Sequence, residues 1–150
     1  MAGGRFDLRA HTADVAVEAT GPDLSAAFAA AADGLAAASC DDVPPGGERF
    51  AVSVTAESRE ALLFDYLDRL IYERDVRGVL PVDNEATVEA AGGAGDRDGE
   101  GADGGWTVSA SARGVPLDRI AARDVKAVTY SEMAVEPTDD GWRAYVVLDV

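Results

Sequence analysis

Cysteine, histidine and lysine each occur once in this chain, and each scarcity excludes something. With Cys40 alone, no intramolecular disulfide and no multi-cysteine metal site can form. With His11 alone, a Ser-His-Asp triad would need that one imidazole and a distant serine, and no nucleophile-elbow motif supports it. No apolar run approaches the ~18 residues of a membrane-spanning helix. The start, Met1-Ala-Gly-Gly-Arg-Phe-Asp, lacks the apolar centre of a signal peptide, so a cytoplasmic protein is expected. Basic charge is also scarce. Lys126 is the single lysine, and 28 acidic against 13 basic side chains leave a net charge of −15. Such a surface repels phosphate backbones, so direct nucleic-acid binding is not expected.

Two readings of the acidity compete. One aims it at a basic partner. The other is solvation in a salt-rich cytoplasm, where molar salt screens charge within about 3 Å. Scarce lysine, an excess of Asp over Glu and abundant alanine favour the second. Hydrophobic residues make up 47% of the 150, enough for one domain with a real core.

The closing stretch Tyr145-Val146-Val147-Leu148-Asp149-Val150 carries strand-forming residues too apolar to face water on either side. It also carries one carboxylate next to the last residue. An ordered strand here gathers the Asp149 side chain, nearby carbonyls and the α-carboxylate of Val150, a cluster that calls for a cation or for donors. The bland alternative is an end that frays into water. Near the other end, His11-Thr12-Ala13-Asp14 interrupts an alternating pattern. It leaves Asp14 at the edge of Val15-Ala16-Val17, the same oddity as Asp149. Two such acids brought together would repel, and a hard cation with oxygen ligands would relieve the repulsion. A lone histidine such as His11 is more often a satisfied structural group than a ligand. Lys126, in Val125-Lys126-Ala127-Val128-Thr129-Tyr130, is either an outward strand residue or a place where a compact ammonium is needed.

The rest of the chain supplies a frame. Asp23 is a good N-cap for a helix over 24–38, with Leu24, Phe28, Ala31, Ala32 and Leu35 turned inward. Ser58 caps a second helix reaching Arg77, with an apolar stripe of Leu62, Leu63, Tyr66, Leu67, Leu70 and Ile71. Asp65, Asp68, Arg69, Glu73 and Arg74 fall mainly outside that stripe, and Gly78 ends the helix. Strands are expected over 50–56, 86–90, 106–112, 125–136 and 142–149, with Thr138-Asp139-Asp140-Gly141 as a tight hairpin. Gly92 to Gly105 has little to bury and reads as a flexible acidic hairpin loop that could be shortened without loss. The dinucleotide-like glycine pattern at Gly99, Gly101 and Gly104 neither follows a strand nor opens a helix. The fold class expected is α+β: a two-layer sandwich of one largely antiparallel or mixed sheet with two main helices packed on it, in one domain over 1–150.

His-Thr-Ala-Asp-Val at 11–15, Val-Lys-Ala-Val-Thr-Tyr at 125–130 and Val-Val-Leu-Asp-Val at 146–150, in this order and spacing, resemble the archease family. The helix with Leu62, Leu63, Tyr66, Leu67, Leu70, Ile71 and Tyr72 is similar to that family's second helix. The resemblance implies a non-enzymatic cofactor of the tRNA-splicing RNA ligase. That ligase uses GTP and manganese to join RNA ends, and the cofactor promotes its guanylylation and multiple turnover. It implies a divalent metal, taken as calcium, held by Asp14, Asp149 and Val150, and it implies that Lys126 and His11 serve ligase activation. This sequence departs from the family at Ser131, at Gly114-Val115 and at Ala121-Ala122, where the family usually has a histidine, Gly-Glu and a segment with a histidine. The acidic surface adds the expectation of a halophilic archaeon. Two other classes stand beside this one. A stand-alone metal-dependent hydrolase would use Asp14, His11 and Asp149, but lacks a nucleophile and enough ligands. A chaperone-like module for RNA-modifying enzymes would need neither.

Overall fold

Asp23 and Ser58 start the two helices as their side chains allow. In the computed structural model, which describes residues 4–10, 14–90, 105–123 and 125–150, each accepts a bond from the backbone N–H three residues on. The first helix, α1, runs Leu24–Ser39, and the second, α2, runs Arg59–Arg77. Gly78 closes α2 in the left-handed conformation (φ 69°), and its N–H returns to the Arg74 carbonyl. The strands are β1 Arg5–Ala10, β2 Asp14–Gly21, β3 Glu48–Ala56, β4 Val79–Ala90, β5 Trp106–Pro116, β6 Ala127–Pro137 and β7 Trp142–Asp149. A single 3-10 turn, Leu117–Arg119, follows β5. The expected loop at Gly92–Gly105 lies outside the described residues except for Gly105.

The α+β class holds, but the strands form two sheets where one was expected. Four strands pair in the order β1-β2-β7-β6 and three in the order β3-β5-β4. Every pairing is antiparallel. Local alternation marks a strand but not its partner, so the division between sheets is a tertiary outcome. Several expected strands also change extent, β5 running on to Pro116 and β3 starting at Glu48. The strand expected at 86–90 begins at Val79 instead. It tolerates Pro81 because β4 is an edge of its sheet. The strand expected from Val125 begins at Ala127, so Lys126 stands just before it.

Each helix spans both sheets: α1 touches β1, β2 and β7 of one and β4 of the other, and α2 touches β6 of one and β3, β4 and β5 of the other. Helix α1 is therefore buried nearly all round, and its alanines let backbone approach from both sides. Gly34 on α1 has no room for a side chain, since an added Cβ would lie 2.5 Å from a Val17 methyl. Helix α2 is amphipathic, with Leu62, Leu63, Tyr66, Leu67 and Leu70 buried. The Phe28 and Tyr66 rings meet between the helices at 6.2 Å.

Candidate metal centre

Strand β7 carries Val146, Val147 and Leu148 in succession, all buried, so both of its faces are covered. Its two hydrogen-bonding edges are taken up by β2 on one side and β6 on the other. Antiparallel pairing then brings the start of β2 and the start of β6 to the end of β7. The register sets Asp14 opposite Asp149, and Ala127 opposite Asp149 from the other side. Directly opposed residues in such a ladder lie with Cα atoms about 4.5–5.5 Å apart. Asp149 is thus the last paired residue of a central strand, not a frayed end. Three segments distant in sequence meet here because the sheet order demands it.

Lys126 joins the same corner through its backbone. Its N–H donates to the Asp149 carbonyl at 2.8 Å. The preceding Val125 is fully buried, and its carbonyl accepts from the Arg74 guanidinium of α2 at 3.1 Å. The segment is therefore pinned on both sides of the lysine, while Lys126 itself is exposed. Asp149 and Val150 are exposed as well. Asp149 and Val150 thus bear exposed oxygen groups at this corner, and position 14, across the ladder from Asp149, is also an aspartate. Carboxylate and carbonyl oxygens are the groups that hard divalent cations such as calcium take. His11 lies outside the described residues. Ser131 is exposed on β6, and Ala121 and Ala122 are exposed between the 3-10 turn and Lys126.

Two acids of chemical interest escaped the sequence reading. Glu73 was expected outside the apolar stripe, yet it is only 5% exposed. Burial raises its pKa, but hydrogen bonds from Arg69 (2.7 Å) and Arg77 (2.6 Å) outweigh burial and hold it below the ordinary range. The signal was present as arginines four residues to either side, the spacing at which helical neighbours meet. Asp33, on the Ala-rich α1, is the second. Desolvation raises its pKa, and the bonds it accepts from the Asn84 backbone N–H (3.0 Å) and side-chain amide (2.9 Å) offset this only in part. Asn84 sits at an irregularity in β4, where the pairing with β5 shifts between Val82 and Glu85 and Asp83 has φ 50°. Neither acid lies on the strands that meet at Asp149.

Comparison with known proteins places the whole chain. The archease protein family model matches residues 6–150. The archease of Thermococcus gammatolerans is 33% identical over 97% of this chain and 99% of its own length. That of Methanosarcina acetivorans is 31% identical over 99% and 97%. The solution structure of protein 1598 of Methanobacterium thermoautotrophicum superposes with a TM-score of 0.77 at 27% identity, covering all of both chains. The crystal structure of an archease and possible chaperone from Thermotoga maritima shares the fold, with a TM-score of 0.60 at 19% identity over 93% of each. The chain belongs to the archease family.

Proposed function

We propose that this protein activates the tRNA-splicing RNA ligase by presenting a divalent cation, calcium in the first instance, held by Asp14, Asp149 and an oxygen of Val150. The observation that supports this most directly is the pairing of Asp14 with Asp149, with the Lys126 amide fastened to the Asp149 carbonyl. Two like charges on opposed residues destabilise a sheet unless a counter-charge intervenes. A bound cation supplies that charge and a hard Lewis acid at the protein surface. On this reading Asp14 and Asp149, opposed on adjacent strands, contribute oxygens, and Lys126 adds an ammonium-bearing residue to the same corner. The partner is the ligase rather than RNA, since the net charge of −15 opposes a phosphate backbone.

The test separates activity from stability. Asp149→Ala removes one oxygen ligand and leaves the buried side chains of β7 in place. Lys126→Ala removes an exposed charge and opens no cavity, and the backbone bond to Asp149 remains. Both variants should melt within about 1 kcal/mol of the parent, as exposed substitutions do. Both should lose at least about tenfold in multiple-turnover ligation with the cognate ligase, and only Asp149→Ala should lose calcium binding in titration calorimetry. A folding scaffold predicts activity falling only as far as stability does. If both variants melt normally and still activate fully, the cation is not what the ligase reads.

A further inference from the structure

The outward side of α2 does not look like the outward side of an ordinary amphipathic helix, which is charged and polar. Phe64, Asp68, Tyr72 and Val76 recur at four-residue spacing, so each lies over the next along one row. The row is about 18 Å long, from the helical rise per residue. Tyr72 is 57% exposed and Val76 is 63% exposed, the most exposed large apolar side chains of the described residues. The row is extended by a strand. Tyr130 of β6 stacks on Phe64 with ring centroids 4.2 Å apart and planes within 3°, yet remains 54% exposed. It projects there because the pairing of β6 with β7 slips between Thr129 and Ala134, and Glu132 in that bulge takes φ 59°. β6 is also the outer strand of its sheet.

We infer that this ridge, Tyr130–Phe64–Tyr72–Val76, is the surface on which the ligase docks, and that the ligase meets it with an apolar groove bordered by arginine or lysine. The inference rests on the function proposed above. Two observations choose this occupant. First, the ridge is continuous with the metal centre. Arg74, two residues before Val76, bonds the Val125 carbonyl, and the next residue, Lys126, bonds the Asp149 carbonyl. A partner reading the cation would cover the last turns of α2 as well. Second, the charge along the ridge has one sign. Asp65, Asp68 and Glu132 make no ion pair among the described residues. Arg69 lies over Tyr72 but is already paired to Glu73, and Arg74, at the Val76 end, is paired to Asp75. Exposed tyrosines among free carboxylates suit guanidinium and ammonium groups, through ring faces and charge together.

The experiment uses the full-length protein and the cognate ligase in the presence of calcium. Tyr72→Ser/Val76→Ser removes the exposed half of the ridge. Tyr130→Ser, made separately, removes the strand's contribution. Leu8→Ser, on β1 at the opposite edge of the four-stranded sheet, is the control. The double variant should bind the ligase at least about tenfold more weakly, the loss expected of central aromatic anchors. Its affinity for calcium should stay as in the parent. Tyr130→Ser should weaken binding in the same direction, and Leu8→Ser should not. If the parent binds and activates the ligase and the double variant does so equally, the ridge is not the interface, while the proposed function stands. If the parent neither binds nor activates the ligase, the function falls and the ridge assignment with it. If sedimentation shows that the parent self-associates and the double variant does not, with ligase affinity unchanged, the ridge joins two copies of this chain and the inference is overturned.

Discussion

Glu73 and Asp33 are both acids turned toward the interior from helices, and the protein treats them in opposite ways. Glu73 is the less exposed, covered by the arginines that bond it, and its charge is favoured. Arg69 and Arg77, one turn before and one turn after on α2, bring guanidinium hydrogen bonds from the solvent side. Asp33 on α1 receives only neutral donors from Asn84, and its burial wins. Nearby, the Tyr66 hydroxyl is pushed up by desolvation and then by Asp33, and its oxygen has no hydrogen-bond partner among the described residues. The difference teaches that depth alone does not decide the state of a carboxyl group. What decides it is whether the same helix can reach round it with charge. An amphipathic helix such as α2 has a solvated flank from which arginines can reach inward. Helix α1, buried nearly all round, presents no arginine or lysine of its own beside Asp33.

The largest expected effect lies at Glu73. Glu73→Ala removes two charge-assisted bonds but frees arginines that are 39% and 45% exposed and can rehydrate. A loss of about 2 kcal/mol is expected at neutral pH, within the usual range for hydrogen bonds to charged groups. The pH dependence has a definite sign. The folded pKa of Glu73 is depressed, so its contribution is present above the unfolded value and is lost as pH falls through the folded one. Glu73→Gln should therefore flatten the acid side of a stability–pH curve measured by chemical denaturation. An unchanged acid limb would mean that the arginines do not hold the charge.

Asn84→Ala tests the other member of the pair and should cost less, about 1 kcal/mol at pH 7. The side-chain amide that helps Asp33 bear its charge is lost, while the backbone N–H at position 84 still donates. The cost should shrink as the solution is acidified, because a protonated Asp33 needs that donor less. A cost that is constant from pH 4 to pH 7 would place the role of Asn84 in the β4 irregularity rather than in solvating the acid.

Much of this frame was legible in the sequence. Asp23, Ser58 and Gly78 act through bonds to their own neighbours, so local chemistry sufficed to place both helix starts and the end of α2. The apolar run of β7 declared a strand covered on both faces, and two carboxylates at strand edges, Asp14 and Asp149, pointed to a shared corner that the register then set on adjacent strands. What escaped were relations between distant segments. The bond from the Lys126 N–H to the Asp149 carbonyl is a backbone contact and carries no side-chain signature. The split into two sheets depends on β5 lying between β3 and β4, which alternation cannot express. The burial of Glu73 was hidden because its arginine neighbours made the segment look solvated. Asp33 stands within a run of alanines whose smallness, rather than any periodicity, buries α1 nearly all round.

The smallest expected effect belongs to Asp33→Asn, and it is opposite in sign to the change at Glu73. The asparagine oxygen can still accept from both donors of Asn84, so the hydrogen bonds survive while the charge does not. The folded pKa of Asp33 is raised, so the folded state binds its proton more readily than the unfolded chain. Stability from this group is present below the ordinary value of 3.8 and is lost as pH rises from there through the folded pKa. At neutral pH the ionised carboxyl is a standing cost, and removing it should stabilise the protein by up to about 1 kcal/mol, a change large enough to measure in a cooperative domain. Below the carboxylate range both proteins carry a neutral side chain and the gain should vanish. Arg49, which lowers the Asp33 pKa, is the competing influence. If the variant proves less stable than the parent at pH 7, Arg49 and Asn84 together outweigh desolvation, and the two acids differ in degree rather than in kind.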